Sequence, residues 1–295
     1  MATQVRTPVQ RASRPSMSGV LANSFMLVCL GYFLVPLVWL LLAITKSNTG
    51  LFSSFGFWFD QDFHLLQNLS DLFARDDGVF LIWMRNTAIY ALSAAIGSAL
   101  ISTCAGYAFA LYRFAGRDLL FGIVLGSVFV PATVFAVPLY LLLSRSGLSN
   151  SLLAVILPAL VNPFGVYLMR IYAEQAVPPD LIDAARVDGA GEFRIFATIA
   201  FRLIAPGFVT VLLFAFVGAW NNYFLPLLVL SHSDLYPLTV GLAYWNGLTT
   251  AVGQQQVLYT LVVTGSVLAI LPVMLLFLFL QRYWQSGLSL GSLKG

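Results

Sequence analysis

The chain has 295 residues, of which 59% are hydrophobic and only 9% charged, with a formal net charge of +3. A soluble domain of this length carries about a quarter charged residues, so the composition specifies an integral membrane protein. There is no basic cluster and the only lysines are Lys46 and Lys294, which excludes a nucleic-acid partner; Cys29 and Cys104 offer neither a metal spacing nor a disulfide framework.

Residues 1–18 (MATQVRTPVQRASRPSMS) read as a flexible polar leader. A membrane helix needs about 20 apolar residues. Six segments qualify, near 20–45, 85–112, 119–144, 151–171, 203–231 and 257–281. The first lacks a small-residue cleavage site and reads as a retained anchor. Residues 46–84 follow as a loop whose aromatic stretch LFSSFGFWFDQDFHLL suits a helix lying in the membrane interface, or a surface for an external partner. A second loop, 232–256, holds no Lys or Arg. Trp58, Trp83, Trp245 and Trp284 fit an interfacial aromatic belt, and His64 and His232 fall in loops as ordinary solvated histidines. Pro131, Pro138, Pro158, Pro163 and Pro226 are expected to mark kinks.

Lys and Arg set the orientation. With the N-terminus in the cytoplasm, Arg6, Arg11, Arg14, Arg113, Arg117, Arg170, Arg186, Arg194, Arg202, Arg282 and Lys294 lie inside, against Lys46, Arg75, Arg85 and Arg145 outside. Both termini are therefore expected in the cytoplasm. The chain divides into the leader 1–18, a first helix and extracellular loop 19–84, a core of membrane helices 85–282 and a cytoplasmic tail 283–295.

Between the fourth and fifth segments the apolar pattern is interrupted by LIDAARVDGAGEF, residues 181–193. Residues 180–189 read as one short helix. Asp180 is expected as its N-cap, with Asp183 three residues on as in a capping box. Gly189 is placed to end it in a left-handed conformation. Such a rod is about 12 Å long, and its small residues Ala184 and Ala185 permit close approach of another backbone. It suits a lever at the membrane face, and equally an ordinary turn between two membrane helices.

No Asp, Glu, His or Arg lies well inside any segment, so a coupling-ion site of the kind secondary transporters use has no candidates. The polar groups available to a solute are neutral: Asn162, flanked by Pro158 and Pro163, and Asn221 and Asn222 after Trp220. Amides donate and accept, and aromatic faces suit a sugar ring. Helix–helix hydrogen bonding is the alternative use of each asparagine. There is no phosphate-binding loop and no catalytic or metal cluster, so the chain is not read as an enzyme.

The stretch DAARVDGAGEFRIFATIAFRLIAP resembles the EAA loop of membrane subunits of type I ATP-binding-cassette (ABC) importers, and most closely the maltose-type carbohydrate permeases. Asp183, Ala184, Ala185, Asp188, Gly189 and Ala190 stand in register, with Pro206 further on; Asp183 replaces the usual Glu, and Arg202 stands where a first proline is common. Residues 86–117, 220–227 and 287–295 are similar to further parts of that family, so the resemblance covers about 84–295. It implies an all-α polytopic protein of the bacterial-type cytoplasmic membrane, with six transmembrane helices and a cytoplasmic coupling helix within an EAA loop at 174–202. It also implies the partners: membrane lipid, a second homologous permease, an ABC ATPase dimer that binds ATP and Mg, and an extracellular solute-binding protein. On that reading Asp183, Ala184, Ala185, Asp188 and Gly189 couple the chain to the ATPase, Trp220, Asn221, Asn222 and Asn162 line the pathway, and no cofactor resides in this chain. A sugar is the expected solute; the same architecture for glycerol phosphate or a polyamine, or a self-sufficient secondary transporter, is the alternative.

Overall fold

The computed structural model describes residues 17–250 and 257–292. The leader up to residue 16, residues 251–256 of the second loop, the last three residues of the tail and the side chain of Trp284 lie outside the described residues. Among the described residues every regular element is helical.

Helix α1 (Met17–Ala43) is apolar on all sides, and its membrane-crossing window has no residue buried inside the chain. A helix without a polar face belongs in hydrocarbon or against other membrane helices. The loop after it is more built than the sequence suggests. It forms α2 (Asn48–Ser53) and α3 (Leu65–Ala74), with non-helical backbone between them. A continuous interfacial helix through the aromatic stretch is therefore not formed. Lys46 is the physical reason: its side chain is buried, and Nζ donates to Ser54 Oγ at 2.8 Å and to Phe55 O at 2.7 Å. Those bonds fasten residues 54 and 55 just past the end of α2, where Ser54 is in extended backbone. Asn68 Nδ2 pins the other end, donating to Ile44 O and Lys46 O. Phe52, Phe55, Trp58 and Phe63 are left exposed.

Helix α4 (Val79–Leu111) begins six residues before the expected second segment, after Asp76, Asp77 and Gly78 in left-handed backbone. It is the central element and packs most extensively against the helices of the fourth and fifth segments. Its small residues allow this: a Cβ at Gly106 would lie 2.6 Å from Met169 Cβ, so the two backbones touch. Next come α5 (Arg117–Ser127) and α6 (Ala136–Arg145), which meet at 97° around Pro131. The third segment is thus a sharply broken span, because Pro131 supplies no N–H to continue the helix. The fourth is broken too, into α7 (Leu152–Ala159) and α8 (Pro163–Ala176). Asn162 caps α8, its Oδ1 accepting from Gly165 N at 2.9 Å, and Pro163 occupies the first helical position.

Helix α9 (Pro179–Val187) and α10 (Glu192–Ile195) follow, then one π-helical turn and α11 (Phe201–Trp220). The fifth segment, expected over 203–231, therefore runs from Glu192 and stops at Trp220. Asn221 ends it: its Nδ2 donates back to Val217 O at 2.8 Å, a side-chain bond that competes with further helix. The short α12 (Phe224–Val229), α13 (Leu238–Thr250) and the long α14 (Val257–Ser292) complete the chain. Five helical stretches among the described residues are long and apolar enough to cross a membrane, and the bent α5–α6 pair makes a sixth.

Because α13 folds back over α4, Trp83 and Trp245 do not sit in an exposed belt. Each is 1% exposed, their rings lie 4.6 Å apart, and Trp83 Nε1 donates to Ser233 O. They centre one apolar cluster with Phe80, Trp220 and Leu258. A second cluster joins Tyr107, Met169, Ile182, Ala185, Ile195 and Ile204, and so roots α9 in the body of the protein.

Candidate functional site

Two places carry the groups singled out from the sequence: the short helix α9, and the breaks at Asn162 and Asn221–Asn222.

The helix is there and is short, but its start differs from expectation. It begins at Pro179, with Pro178 in the cap position and no side-chain cap bond. Proline at the first helical position already has helical φ and no N–H to satisfy, so Asp180 falls inside the first turn, near the positive end of the dipole. Asp183 makes no capping box; its Oδ1 accepts from Arg186 Nη1 at 2.9 Å. The end is as the glycine predicts. Gly189 has φ +78, Ala190 N donates to Ala185 O at 3.0 Å, and Gly189 N donates to Arg186 O at 3.0 Å. That pair of bonds is the Schellman closure of a helix end.

Ile182 and Ala185 face the second apolar cluster, so Ala185 points inward. Asp183, Ala184, Arg186, Val187, Asp188 and Gly189 are exposed. Val187 is 87% exposed and Phe193, just beyond the turn, 83%. Two exposed apolar side chains beside a capped rod make a surface with something left to cover. The sequence reading missed both; an apolar residue on the far side of Ile182 and Ala185 at helical spacing was the available signal.

Arg186 also reaches across the turn: Nε donates to Glu192 Oε1 at 2.7 Å and Nη2 to Glu192 Oε2 at 3.3 Å. Tyr112, at the end of α4, donates its hydroxyl to the same carboxylate. The hydrogen bond to Glu192, with Asp183 adding, raises the Arg186 guanidinium further above its usual range. Burial, then the bond to Glu192, pushes the Tyr112 phenol up.

The asparagines divide between two clefts. Asn162 and Asn222 line one of about 330 Å³, together with Ala94, Val161, Phe164 and Phe214. The break before α8 and the break after α11 thus open on the same space. Trp220 and Asn221 line a smaller one of about 170 Å³, with Leu238, Thr239 and Ala269. Trp220 is itself buried and its Nε1 donates to Ala269 O at 3.0 Å. Among the described residues no group of His, Cys, Asp or Glu could hold a metal ion.

Comparison with known proteins gives this geometry a family. Residues 101–289 match the model of binding-protein-dependent transport system inner membrane components. The chain is 34% identical to the arabinooligosaccharides transport system permease protein AraQ of Halalkalibacterium halodurans, over 97% of this chain and all of that one. It is 30% identical to the lactose transport system permease protein LacG of Rhizobium radiobacter, over 88% of this chain and 90% of that one. A chain in the crystal structure of a bacterial ABC transporter involved in the import of the acidic polysaccharide alginate superposes with a TM-score of 0.77, covering 94% of this chain and 99% of that chain at 22% identity. At that identity the likeness establishes the fold, that of an ABC importer's transmembrane subunit. The chain belongs to the family of binding-protein-dependent transport system inner membrane components.

Proposed function

We propose that this multi-pass membrane protein is one of two permease halves of an ATP-driven importer for a sugar or oligosaccharide. A second homologous permease completes the pathway, an ATPase dimer binds ATP and Mg, and an extracellular solute-binding protein delivers the solute. Both termini and α9 face the cytoplasm. The relatives named for arabinooligosaccharides and lactose support the solute class. The observation that carries the coupling role is α9 itself: a rod rooted on one face by Ile182 and Ala185, with Ala184, Val187, Asp188 and Gly189 uncovered on the other.

In this reading the ATPase grips that uncovered face, and its closure swings α9 against the membrane helices on either side. The chain performs no chemistry of its own. Asp183 acts through Arg186, Gly189 through the shape of the turn, and Ala185 through its seat in the apolar cluster. For the pathway, Asn162 and Asn222 are the better placed pair, because they share the larger cleft; Trp220 and Asn221 line the smaller one. Neutral amides and the Phe164 and Phe214 rings suit an uncharged polyhydroxylated solute.

Purification of the chain from its own membranes tests this. A complex containing an ATPase and a second permease is expected, taking up arabino-oligosaccharide, maltodextrin or lactose into proteoliposomes only with Mg-ATP inside the compartment that α9 faces. Uptake by this subunit alone without ATP would refute the proposal.

A further inference from the structure

The turn between α9 and α10 contains Gly189 and Gly191, and a Cβ on either would meet nothing within 4 Å. At those two positions no neighbouring side chain braces the open side of the turn, while Ala190 between them packs against the second apolar cluster. On the core side Ile182, Ala185 and Ile195 share a cluster. On the open side the Arg186 network is what spans the turn. Its guanidinium binds Asp183 one turn back on its own helix and Glu192 at the start of the next, using Nη1 for one and Nε and Nη2 for the other. Tyr112 brings the end of α4 onto the same Glu192 carboxylate, and its ring packs edge-on to Tyr107, whose own ring lies 5.0 Å from Phe196.

Ion pairs this exposed add little to stability. The side chains of Arg186, Asp183 and Glu192 are 41%, 68% and 49% exposed. Their value is directional: a planar guanidinium held by two carboxylates fixes their relative orientation in a way a point charge does not. A lever that is hinged at a glycine turn dissipates a push, whereas a lever braced across that turn passes it on.

We propose that Arg186 is a positioning residue for the coupling movement: by bridging Asp183 and Glu192, with Tyr112 closing on the same carboxylate, it makes α9, the start of the fifth membrane helix and the end of α4 move as one body. The coupling role rests on the importer reading above; the bracing itself is a property of this chain. Residue choice follows from the geometry. Lysine at 186 could keep one of the two carboxylates and not both. Glutamine could keep neither with charge assistance.

The test is a distance measurement by pulsed electron paramagnetic resonance on the assembled complex. Spin labels are placed at Asp180→Cys on α9 and Ala197→Cys beyond the turn, both exposed positions, in a Cys29→Ser, Cys104→Ser background. Wild type is expected to give one narrow distance that is the same without nucleotide and after trapping with ATP and vanadate. Arg186→Gln broadens the distribution in both states and lowers solute uptake per ATP hydrolysed; Glu192→Gln does the same, and Arg186→Lys restores part of both. Tyr112→Phe, which removes only the hydroxyl, gives a smaller broadening. A distribution in Arg186→Gln as narrow as wild type would overturn the bracing while leaving the importer reading intact. A wild-type chain that brings no ATPase with it would overturn the importer reading, and the nucleotide-free comparison of wild type with Arg186→Gln would still decide the bracing.

Discussion

Substituting Gly189 separates backbone shape from side-chain packing. Its φ is +78, and an added Cβ would meet no heavy atom within 4 Å. The cost of a side chain here is therefore conformational. An L-residue held left-handed loses about 1–2 kcal/mol, less for asparagine and more for a β-branched residue. A penalty of that size shifts a local equilibrium about 5- to 30-fold. What opens is the helix end, because Ala190 N reaches Ala185 O only with residue 189 left-handed, whereas the Gly189 N to Arg186 O bond precedes that torsion. The expected order of coupled uptake is Gly above Asn above Ala above Val at position 189. ATP hydrolysis and the amount of complex in the membrane should stay near wild type, so the quantity to follow is solute transported per ATP hydrolysed in proteoliposomes. Full coupling in Gly189→Val would refute the argument. Equal damage from asparagine and valine would also refute it, since it would show that the conformation at 189 is not the cause.

Gly106→Ala places a Cβ 2.6 Å from Met169 Cβ and 2.7 Å from Arg170 N, where backbone must yield, and should cost about 1–3 kcal/mol in thermal unfolding in detergent. Gly122→Ala in α5, with open space around it, should cost nothing and gain a few tenths to about 1 kcal/mol; a loss as large as that at 106 would contradict the contact argument. Lys46→Met removes the donor that binds Ser54 Oγ and Phe55 O, and should cost about 1–3 kcal/mol and expose residues 54–64 to protease. The protonated Arg186 and Tyr112 groups have raised pKa values, so their bonds are complete below the unfolded tyrosine value of 10.0 and weaken only as pH rises past it. Uptake per ATP should therefore be flat from about pH 6 to about pH 9, and a fall within that range would point to another titrating group.

The membrane class, the helical architecture and the short charged helix between the fourth and fifth segments were legible in the sequence, because each rests on a local signal. Long apolar runs state their own solvent, and a glycine after a run of helix formers states its own φ. Where a proline and a carboxylate competed for the same helix start, spacing favoured Asp180 and the pre-set backbone of Pro179 won. The tertiary structure decided everything that depends on which distant groups meet. Trp83 and Trp245 look like belt residues until α13 folds back and buries them against each other. Asn162 and Asn222 lie sixty residues apart, and only the packing of α4, α8 and α11 opens both helix breaks on one cleft. Tyr112 carries no local mark at all; it acquires its partner because α4 ends where α10 begins. A sequence fixes the torsions and the solvent each segment prefers, but which side chains share a cleft or a carboxylate is set by how several helices divide one limited volume.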